Sequence, residues 1–347
     1  MSPELSLLFI LFIFIGVLLL VTSYITKVLL FVSIAYIILP DTKILFDPSV
    51  SLAPRRFRLN PHPLEIAASW ISRKTILKAV SLSEIVIQTH YHADHFTLPE
   101  FRIYEFTNKN VFEETYSEEK IIYAKDPENN INYNQKRRAK YLWRNKKRKL
   151  FKAEGNIFQI GNTKIKFSEA VSHNIDERLG FVFETIVDDG KRKYLYTSDV
   201  SGPVSEKATD FIVNEEPDIL VLDGPTYYHP RVSKKEKEIA FQNLKIIKDS
   251  ANKIYIDHHF LRKKNWKEKL EKEVGVKFPA FSQIIGLEPI ILEAMRKELF
   301  KETEVKEEFY SLLEKGLINT DFFLKILKEN KIAYYWKKIN EKIEKYH

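Results

Sequence analysis

The sequence contains no cysteine. Disulfide bonds and thiolate ligands are therefore excluded, and any metal ion must be held by histidine and carboxylate side chains. The chain suits a reducing compartment. There is no internal repeat, no low-complexity linker and no flavin-binding signature. The last absence argues against a redox role for a bound metal.

Acidic residues are outnumbered, with 47 Asp and Glu against 55 Lys and Arg, which gives a net charge of +8. This balance favours acidic partners such as nucleic acids, phosphorylated small molecules or an anionic membrane face. The 347 residues, 44% of them hydrophobic, are enough for one large α/β domain with additions.

Three histidines and an aspartate fall within six residues, in the order His90, His92, Asp94, His95. They follow an apolar run, residues 85–87, that is typical of a buried strand. Residues two apart in an extended chain point the same way, so His90 and His92 can face one point. The nitrogen and oxygen donors suit zinc, iron or manganese. The alternative is a histidine-rich surface loop without a ligand role.

The N-terminal residues 5–26 carry no charge. An uncharged run longer than 18 residues is typical of a transmembrane helix, and this one lacks the features of a secretory signal. We keep two interpretations, a membrane anchor and an atypical N-terminus. With an anchor, Arg55, Arg56 and Arg58 would leave the main domain on the cytoplasmic side.

The rest of the chain alternates strand and helix patterns. We expect a first core strand at residues 32–39 and a hairpin partner at 43–46, followed by a helix at 63–80. Gly161-Asn162 and Asp189-Gly190 indicate two further hairpins. The other expected elements are strands at 218–222 and 253–256, a Lys-rich helix at 233–249 and a helical region over 290–345.

Residues 129–153 contain no acidic side chain but many Lys and Arg, interleaved with Tyr133, Tyr141 and Trp143. One interpretation is a nucleic-acid platform, on which cations meet phosphates and aromatic rings stack on bases. The other is a solvated helix whose aromatic side chains pack inward.

Several acids and histidines follow predicted strands. A single strand-end Asp or His is usually a turn residue. Many such groups at one edge of a sheet would remain poorly solvated unless a cation gathered them. The residues concerned are Asp47, His90, His92, Asp94, His95, His173, Asp199, Asp223, His258 and His259.

The order and spacing of these residues resemble the five-motif pattern of the metallo-β-lactamase superfamily. Residues 46–63, 126–133, 197–199 and 257–259 look more narrowly like a mainly archaeal branch of metallo-β-lactamase-fold hydrolases. The resemblance covers residues 32–300 and implies an α/β fold, a four-layer αββα sandwich with the metals at one edge. The apolar run at 5–31 departs from that branch, whose members begin with a shorter, more polar segment.

By motif position, the resemblance implies two metal sites. The first would be bound by His90, His92 and His173, and Asp199 would bridge to the second. The second would take Asp94, His95 and a histidine of the last motif, with His258 preferred to His259. Asp47 would orient a ligand imidazole, and Asp223 is expected behind the ligands, lining the substrate cleft.

We therefore expect a dinuclear metal-dependent hydrolase in which Asp94 and Asp199 serve catalysis and two divalent ions activate water. Zinc is favoured, with manganese or iron as alternatives. The net positive charge of the chain favours a phosphate ester or phosphodiester as the substrate. Alternatives are a hydrolase of carboxylic esters, thioesters or lactones, a non-catalytic metal-stabilised nucleic-acid binder, and a membrane-attached partner protein. The expected division is an N-terminal segment 1–31, a domain 32–300 and a helical C-terminal appendage 301–347.

Overall fold

The computed structural model describes residues 27–31, 34–330 and 332–345. The strands of these residues form two six-stranded sheets and one short hairpin. The first sheet contains β1 Lys27–Phe31, β2 Ile34–Ile38, β3 Lys43–Phe46, β4 Ile85–Gln88, β5 Ile121–Ala124 and β6 Lys149–Lys152. The later strands are β7 Ile157–Ile160, β8 Thr163–Phe167, β9 Val171–Ser172, β10 Phe181–Val182, β11 Thr185–Asp188, β12 Lys193–Tyr196, β13 Ile219–Leu222 and β14 Lys253–Ile256.

The first sheet keeps the chain order, β1 to β6. Its β1, β2 and β3 are antiparallel, and β3 to β6 are parallel. The second sheet has the order β14-β13-β12-β11-β8-β7, with β12, β13 and β14 parallel and the others antiparallel. The short β9 and β10 pair with each other. Parallel strands of each sheet therefore end at a common edge.

The two sheets pack face to face. Alternate residues of a strand point to opposite faces, so Ile44 and Phe46 of β3 enter the central core with Phe167 and Tyr196 of the second sheet. Between them, Leu45 points outward. Both faces of these strands are buried, which explains why the sequence shows continuous apolar runs there rather than a polar alternation.

Helices cover both outer faces. On the first sheet, Leu45 packs with Ile76 and Val80, and on the second sheet Leu220 packs with Leu244. The expected αββα sandwich is thus confirmed. The helices are Pro63–Leu82, Lys109–Thr115, Tyr133–Trp143, Glu206–Glu215, Lys234–Ile247, His258–Leu261, Trp266–Val274, Leu292–Glu302, Glu307–Glu314, Thr320–Glu329 and Ala333–Lys345, with a 3-10 helix at Phe281–Ile285.

The expected hairpin between residues 32–39 and 43–46 is present as β2 and β3. The expectation that it opens the sheet was wrong, because β1 pairs antiparallel with β2, with Leu30 opposite Ala35. The apolar run before residue 32 thus contributes a strand to the sheet, across the predicted boundary at 31–32. The helix expected at 63–80 is confirmed as Pro63–Leu82.

The helices of the C-terminal region do not stand apart from the sandwich. Phe309, Phe323 and Leu327 are buried in a cluster with Leu64 and Ile66 of the helix Pro63–Leu82. The predicted membrane segment, residues 5–26, lies outside the described residues. Among the residues that are described, none of the helices has both the length and the apolar character needed to cross a bilayer.

Candidate metal centre

Six of the nine histidines meet at the edge of the sandwich where β3, β4, β12, β13 and β14 end. The chain leaves β4 at Gln88 and turns tightly, because the amides of His95 and Phe96 both donate to the carbonyl oxygen of His92. After β14, Asp257 precedes a short helix that begins with His258. The strand ends therefore bring together side chains that lie far apart in the sequence.

The described residues contain four overlapping groups of donor atoms, and the two groups of four residues share the Asp199 carboxylate. In each group, one donor atom per residue lies within 4.8 Å of the others. The first group is His90, His92, His173 and Asp199, and the second is Asp94, His95, His258 and Asp199. The two smaller groups are Asp47, His90 and His95, and Asp199, Asp223 and His259.

The two oxygens of Asp199 face different histidines. Oδ2 lies 3.3 Å from Nε2 of His173 and 3.9 Å from Nε2 of His90. Oδ1 lies 3.0 Å from Nε2 of His95 and 3.6 Å from Nε2 of His258. Each oxygen of this carboxylate is thus placed at one of the two groups.

The donor set fits divalent cations. Nε2 of His90, His95 and His258 and Oδ1 of Asp199 are buried and make no hydrogen bond of acceptable geometry with the described residues. Buried polar atoms without partners are rare in proteins because each one costs free energy. Cations placed among these atoms would satisfy them, and the imidazole and carboxylate ligands suit zinc, iron or manganese.

The other ring nitrogen of each of these three histidines, Nδ1, lies within hydrogen-bonding reach of a second polar side chain. Nδ1 of His95 lies 3.0 Å from Asp47, that of His258 lies 3.3 Å from Asp257, and that of His90 lies 3.0 Å from the Thr89 hydroxyl. A proton held on Nδ1 leaves the Nε2 lone pair free for a metal. Sequence reasoning assigned no role to Thr89 or Asp257, although both flank the motifs.

Asp47 lies at the end of β3 with φ of 44°, in the left-handed region. Its carboxylate accepts hydrogen bonds from the backbone N–H of Thr89 at 2.8 Å and from the Thr89 hydroxyl at 2.7 Å. The structure therefore places Asp47 against Nδ1 of His95, at the nitrogen that faces away from Asp199 Oδ1.

Asp223 and His259 form a second such pair. Nδ1 of His259 lies 2.8 Å from Asp223 Oδ2, and Nε2 of His259 lies 3.4 Å from Asp199 Oδ2. Asp223 is also fixed by the amide of Ser201 at 2.7 Å. The structure places His258 in the second group, with Asp94 and His95, and His259 beside the first. Asp223 is buried, and its carboxylate contacts the ring of His259.

Burial and neighbouring charges set the protonation of the centre. Burial lowers the pKa of His92 to about 3 and that of His259 to about 4, so both are neutral at pH 7. Burial would also lower the pKa of His95, but Asp199 and Asp47 outweigh it and raise that pKa well above its ordinary value. Burial opposes the charge of Asp199, yet His259, His95 and His258 hold its pKa well below the usual range.

A cavity of about 240 Å³ lies against the second group, with Asp94 and His258 in its wall. Arg262, in the same wall, has Nη2 3.8 Å from Asp94 Oδ2 and donates from Nη1 to the Tyr228 hydroxyl at 2.8 Å. No motif in the sequence pointed to Arg262. It reaches the site only through the short helix after β14.

The basic stretch 129–153 folds partly as the helix Tyr133–Trp143. Trp143 donates to the Tyr91 hydroxyl at 2.7 Å, and Tyr141 packs at the edge of a buried cluster. Tyr133 is 79% exposed. Two of the three aromatic side chains therefore pack inward, and one faces solvent.

No family model matches the sequence. Among solved structures, an isothiocyanate hydrolase from Delia radicum gut bacteria is similar, with a TM-score of 0.48 and 16% identity over 77% of this chain and 97% of that one. Igni18, described as a novel metallo hydrolase from Ignicoccus hospitalis, has a TM-score of 0.41 and 12% identity over 76% and 95%.

Curated relatives are much closer in sequence. A UPF0282 protein of Saccharolobus islandicus is 38% identical over 275 residues, which cover 76% of this chain and 86% of the relative. A UPF0282 protein of Methanocaldococcus jannaschii is 35% identical over 279 residues, covering 79% and 94%. Both organisms are archaea, so the resemblance to an archaeal branch is confirmed. The chain belongs to the UPF0282 family.

Proposed function

We propose that the chain is a dinuclear metal-dependent hydrolase. The observation that carries this proposal is the Asp199 carboxylate, whose two oxygens each face one of two histidine groups. In this arrangement Asp199 would hold both ions, with His90, His92 and His173 at the first and Asp94, His95 and His258 at the second. The nitrogen and oxygen donors favour zinc, and they also suit manganese or iron.

Divalent ions held by these residues would lower the pKa of bound water towards 7, so that it would give up a proton readily at neutral pH. Asp94 supports the chemistry with a carboxylate that is ionised at pH 7. Burial opposes its charge, but His95, Arg262 and His258 keep its pKa below the usual range. As water attacks, its oxygen bonds to the phosphorus or carbonyl carbon and the ester bond breaks. Asp94 takes the proton of the attacking water and returns it to the leaving alkoxide.

A phosphate ester or phosphodiester is our first candidate substrate. The net charge of +8 favours an anionic substrate. Arg262, 3.8 Å from Asp94, offers a guanidinium group beside the second histidine group. Guanidinium groups bind phosphoryl oxygens through bidentate hydrogen bonds.

Carboxylic esters, thioesters or lactones are the second candidate. The observation that favours them is the cavity beside Asp94 and His258, whose wall is mainly aliphatic. A mainly apolar pocket gives an uncharged acyl group a better environment than it gives a sugar-phosphate chain.

Replacing Asp199 tests the proposal directly. We expect Asp199→Ala to lose most of its bound metal and its hydrolysis of bis-p-nitrophenyl phosphate and p-nitrophenyl acetate, because both groups lose a shared ligand. Metal content is measured by plasma mass spectrometry on the purified protein. Asp210→Ala, which removes an exposed carboxylate, is the control and should keep both properties. Full metal content in Asp199→Ala would contradict the bridging role.

A further inference from the structure

The cavity beside the second histidine group combines a polar end with an apolar body. Asp94 and His258 form part of its wall, and the rest is mainly aliphatic. The aliphatic side chains come from several separate parts of the chain and include Val50, Leu52, Leu287, Ile291, Ile332 and Ile339. Its volume, about 240 Å³, lies just below the range of roughly 300–1,000 Å³ that is typical of ligand sites.

Most polar side chains in the apolar part of the wall already have partners, and the Ser282 hydroxyl is buried there without one among the described residues. The Glu65 carboxylate pairs with Arg296, with Nε 2.8 Å from Oε2. The hydroxyl of Ser69 donates to the Tyr104 carbonyl at 2.6 Å, and that of Ser72 donates to the Ala68 carbonyl at 2.9 Å. Glu65, Ser69 and Ser72 therefore do not call for a polar ligand, and a hydrocarbon group can lie against them without breaking hydrogen bonds.

A void of this composition is suited to apolar molecules. Cavities lined by aliphatic side chains do not hold water well, and they bind hydrocarbons when these can enter. The space is continuous with the proposed reaction site, since Asp94 and His258 belong both to its wall and to the second histidine group. A molecule in the cavity would thus have one end at the residues that we assign to catalysis.

We propose that this cavity holds the hydrocarbon chain of an amphiphilic substrate, whose scissile ester or phosphate ester lies beside Asp94 and His258. The position of the scissile group rests on the proposed hydrolase function. The seating of the hydrocarbon chain rests on the cavity alone. The C-terminal helix Ala333–Lys345 takes part in substrate binding through Ile339, which lines the cavity.

Binding to the full-length chain tests the inference without any need for turnover. The probe is N-phenyl-1-naphthylamine, whose fluorescence rises in apolar sites, and 1-alkanols of four to ten carbons serve as competitors. We expect the affinity of the alkanols to rise about fourfold per methylene until the cavity is full. Affinity that does not depend on chain length would overturn the proposal. A cavity filled by the chain's own apolar residues 5–26 would exclude the probe, and that result would overturn it too.

Two pairs of variants locate the binding. Ile290 lines the cavity and is 37% exposed, so Ile290→Asp should fold and weaken alkanol binding at least tenfold. Leu317→Asp, at a residue that is 65% exposed and outside the cavity, is its control and should change nothing. Ala68→Phe, which fills the cavity from the helix Pro63–Leu82, should shorten the longest alkanol that binds, whereas Ala68→Ser should not. Equal binding by all four variants would overturn the proposal.

The two proposals fail in different ways. If Asp199→Ala keeps its metal, or if no ester is hydrolysed, the hydrolase function is contradicted while chain-length-dependent alkanol binding still supports the cavity. If p-nitrophenyl esters are hydrolysed but kcat/KM does not depend on acyl length in the wild type or in Ile290→Asp, the hydrocarbon site is contradicted and the hydrolase stands.

Discussion

At the residue scale, Asp47 connects several parts of the centre. Its carboxylate contacts Nδ1 of His95 at 3.0 Å and the hydroxyls of Thr89 at 2.7 Å and of Tyr196 at 3.3 Å. These contacts come from both sheets, since Tyr196 ends β12. Asp47 therefore contacts the ring of His95 and at the same time joins the edges of the two sheets.

We expect Asp47→Ala to weaken zinc binding about 10- to 100-fold, because His95 loses the group that orients its ring and raises its basicity. Competition with a chromophoric chelator measures the affinity. Asp47→Asn keeps an oxygen that can accept from Nδ1 of His95, so its loss should be smaller. Unchanged zinc affinity in Asp47→Ala, with the fold verified by circular dichroism, would contradict the orienting role.

Which residues meet at the site could be predicted from the sequence, since strand periodicity and strand ends carry that information. The partners behind the ligands could not. Asp223 lies 36 positions from His259, and no local pattern connects them. The roles of His258 and His259 depended on the direction of the turn after β14, which adjacent identical residues do not reveal.

At the scale of elements, the helix Pro63–Leu82 has two neighbours. One side packs on the first sheet through Ile76 and Val80, and the other side contacts the C-terminal helices through Leu64 and Ile66. Phe323, on the helix Thr320–Glu329, is 3% exposed and stacks on Trp70, with ring centroids 5.4 Å apart. The C-terminal helices therefore pack on an element that leads directly into the histidine motif.

We expect Phe323→Ala to lower the free energy of unfolding by about 3–5 kcal/mol, because it empties a buried aromatic site. Chemical denaturation followed by circular dichroism measures this loss. We also expect a single transition, since the C-terminal helices share a core with Pro63–Leu82. The adjacent Phe322, 37% exposed, provides the matched control, and Phe322→Ala should cost much less. A separate early transition in Phe323→Ala would instead favour an independent appendage.

The hairpins could be predicted because their turns carry a local sequence signal, such as Gly161-Asn162 between β7 and β8. The contacts of the C-terminal helices could not. Their apolar stripes indicate that one side is buried, but amphipathic spacing does not say against which element. β1 was missed for a different reason, because residues 32–33 between it and β2 contain none of the Gly, Asn or Asp that indicate a hairpin turn.

At the scale of the whole molecule, the sandwich gathers ligands from both sheets around one buried point. His90, His92 and His95 follow β4 of the first sheet, whereas Asp199 and His258 follow β12 and β14 of the second. The centre can therefore form only when the two sheets are packed together. Since a cation in this position binds the folded chain and not the unfolded one, metal binding is coupled to folding.

The proton on His95 makes this coupling depend on pH. In the absence of metal, Nε2 of His95 lies 3.0 Å from Asp199 and Nδ1 lies 3.0 Å from Asp47, and both carboxylates raise the pKa of His95 above its ordinary value near 6.5. This proton stabilises the metal-free fold fully below about pH 6.5, and the stabilisation is lost as the pH rises through the raised pKa. A metal at the second group must displace the proton on Nε2 of His95, whereas His92 and His259 have lowered pKa values and are neutral at pH 7, with one ring nitrogen already unprotonated.

We therefore expect zinc binding at pH 7 to release a proton from His95 and to weaken as the pH falls, by up to about tenfold per pH unit. Titration calorimetry in buffers with different ionisation enthalpies measures the number of protons released. Thermal unfolding of the chelator-treated protein should show stability that decreases above pH 6.5, and the zinc-loaded protein should lack this decrease. Zinc binding that releases no proton at pH 7 would contradict a charged His95, because a neutral imidazole has no proton to give up when the ion binds its Nε2.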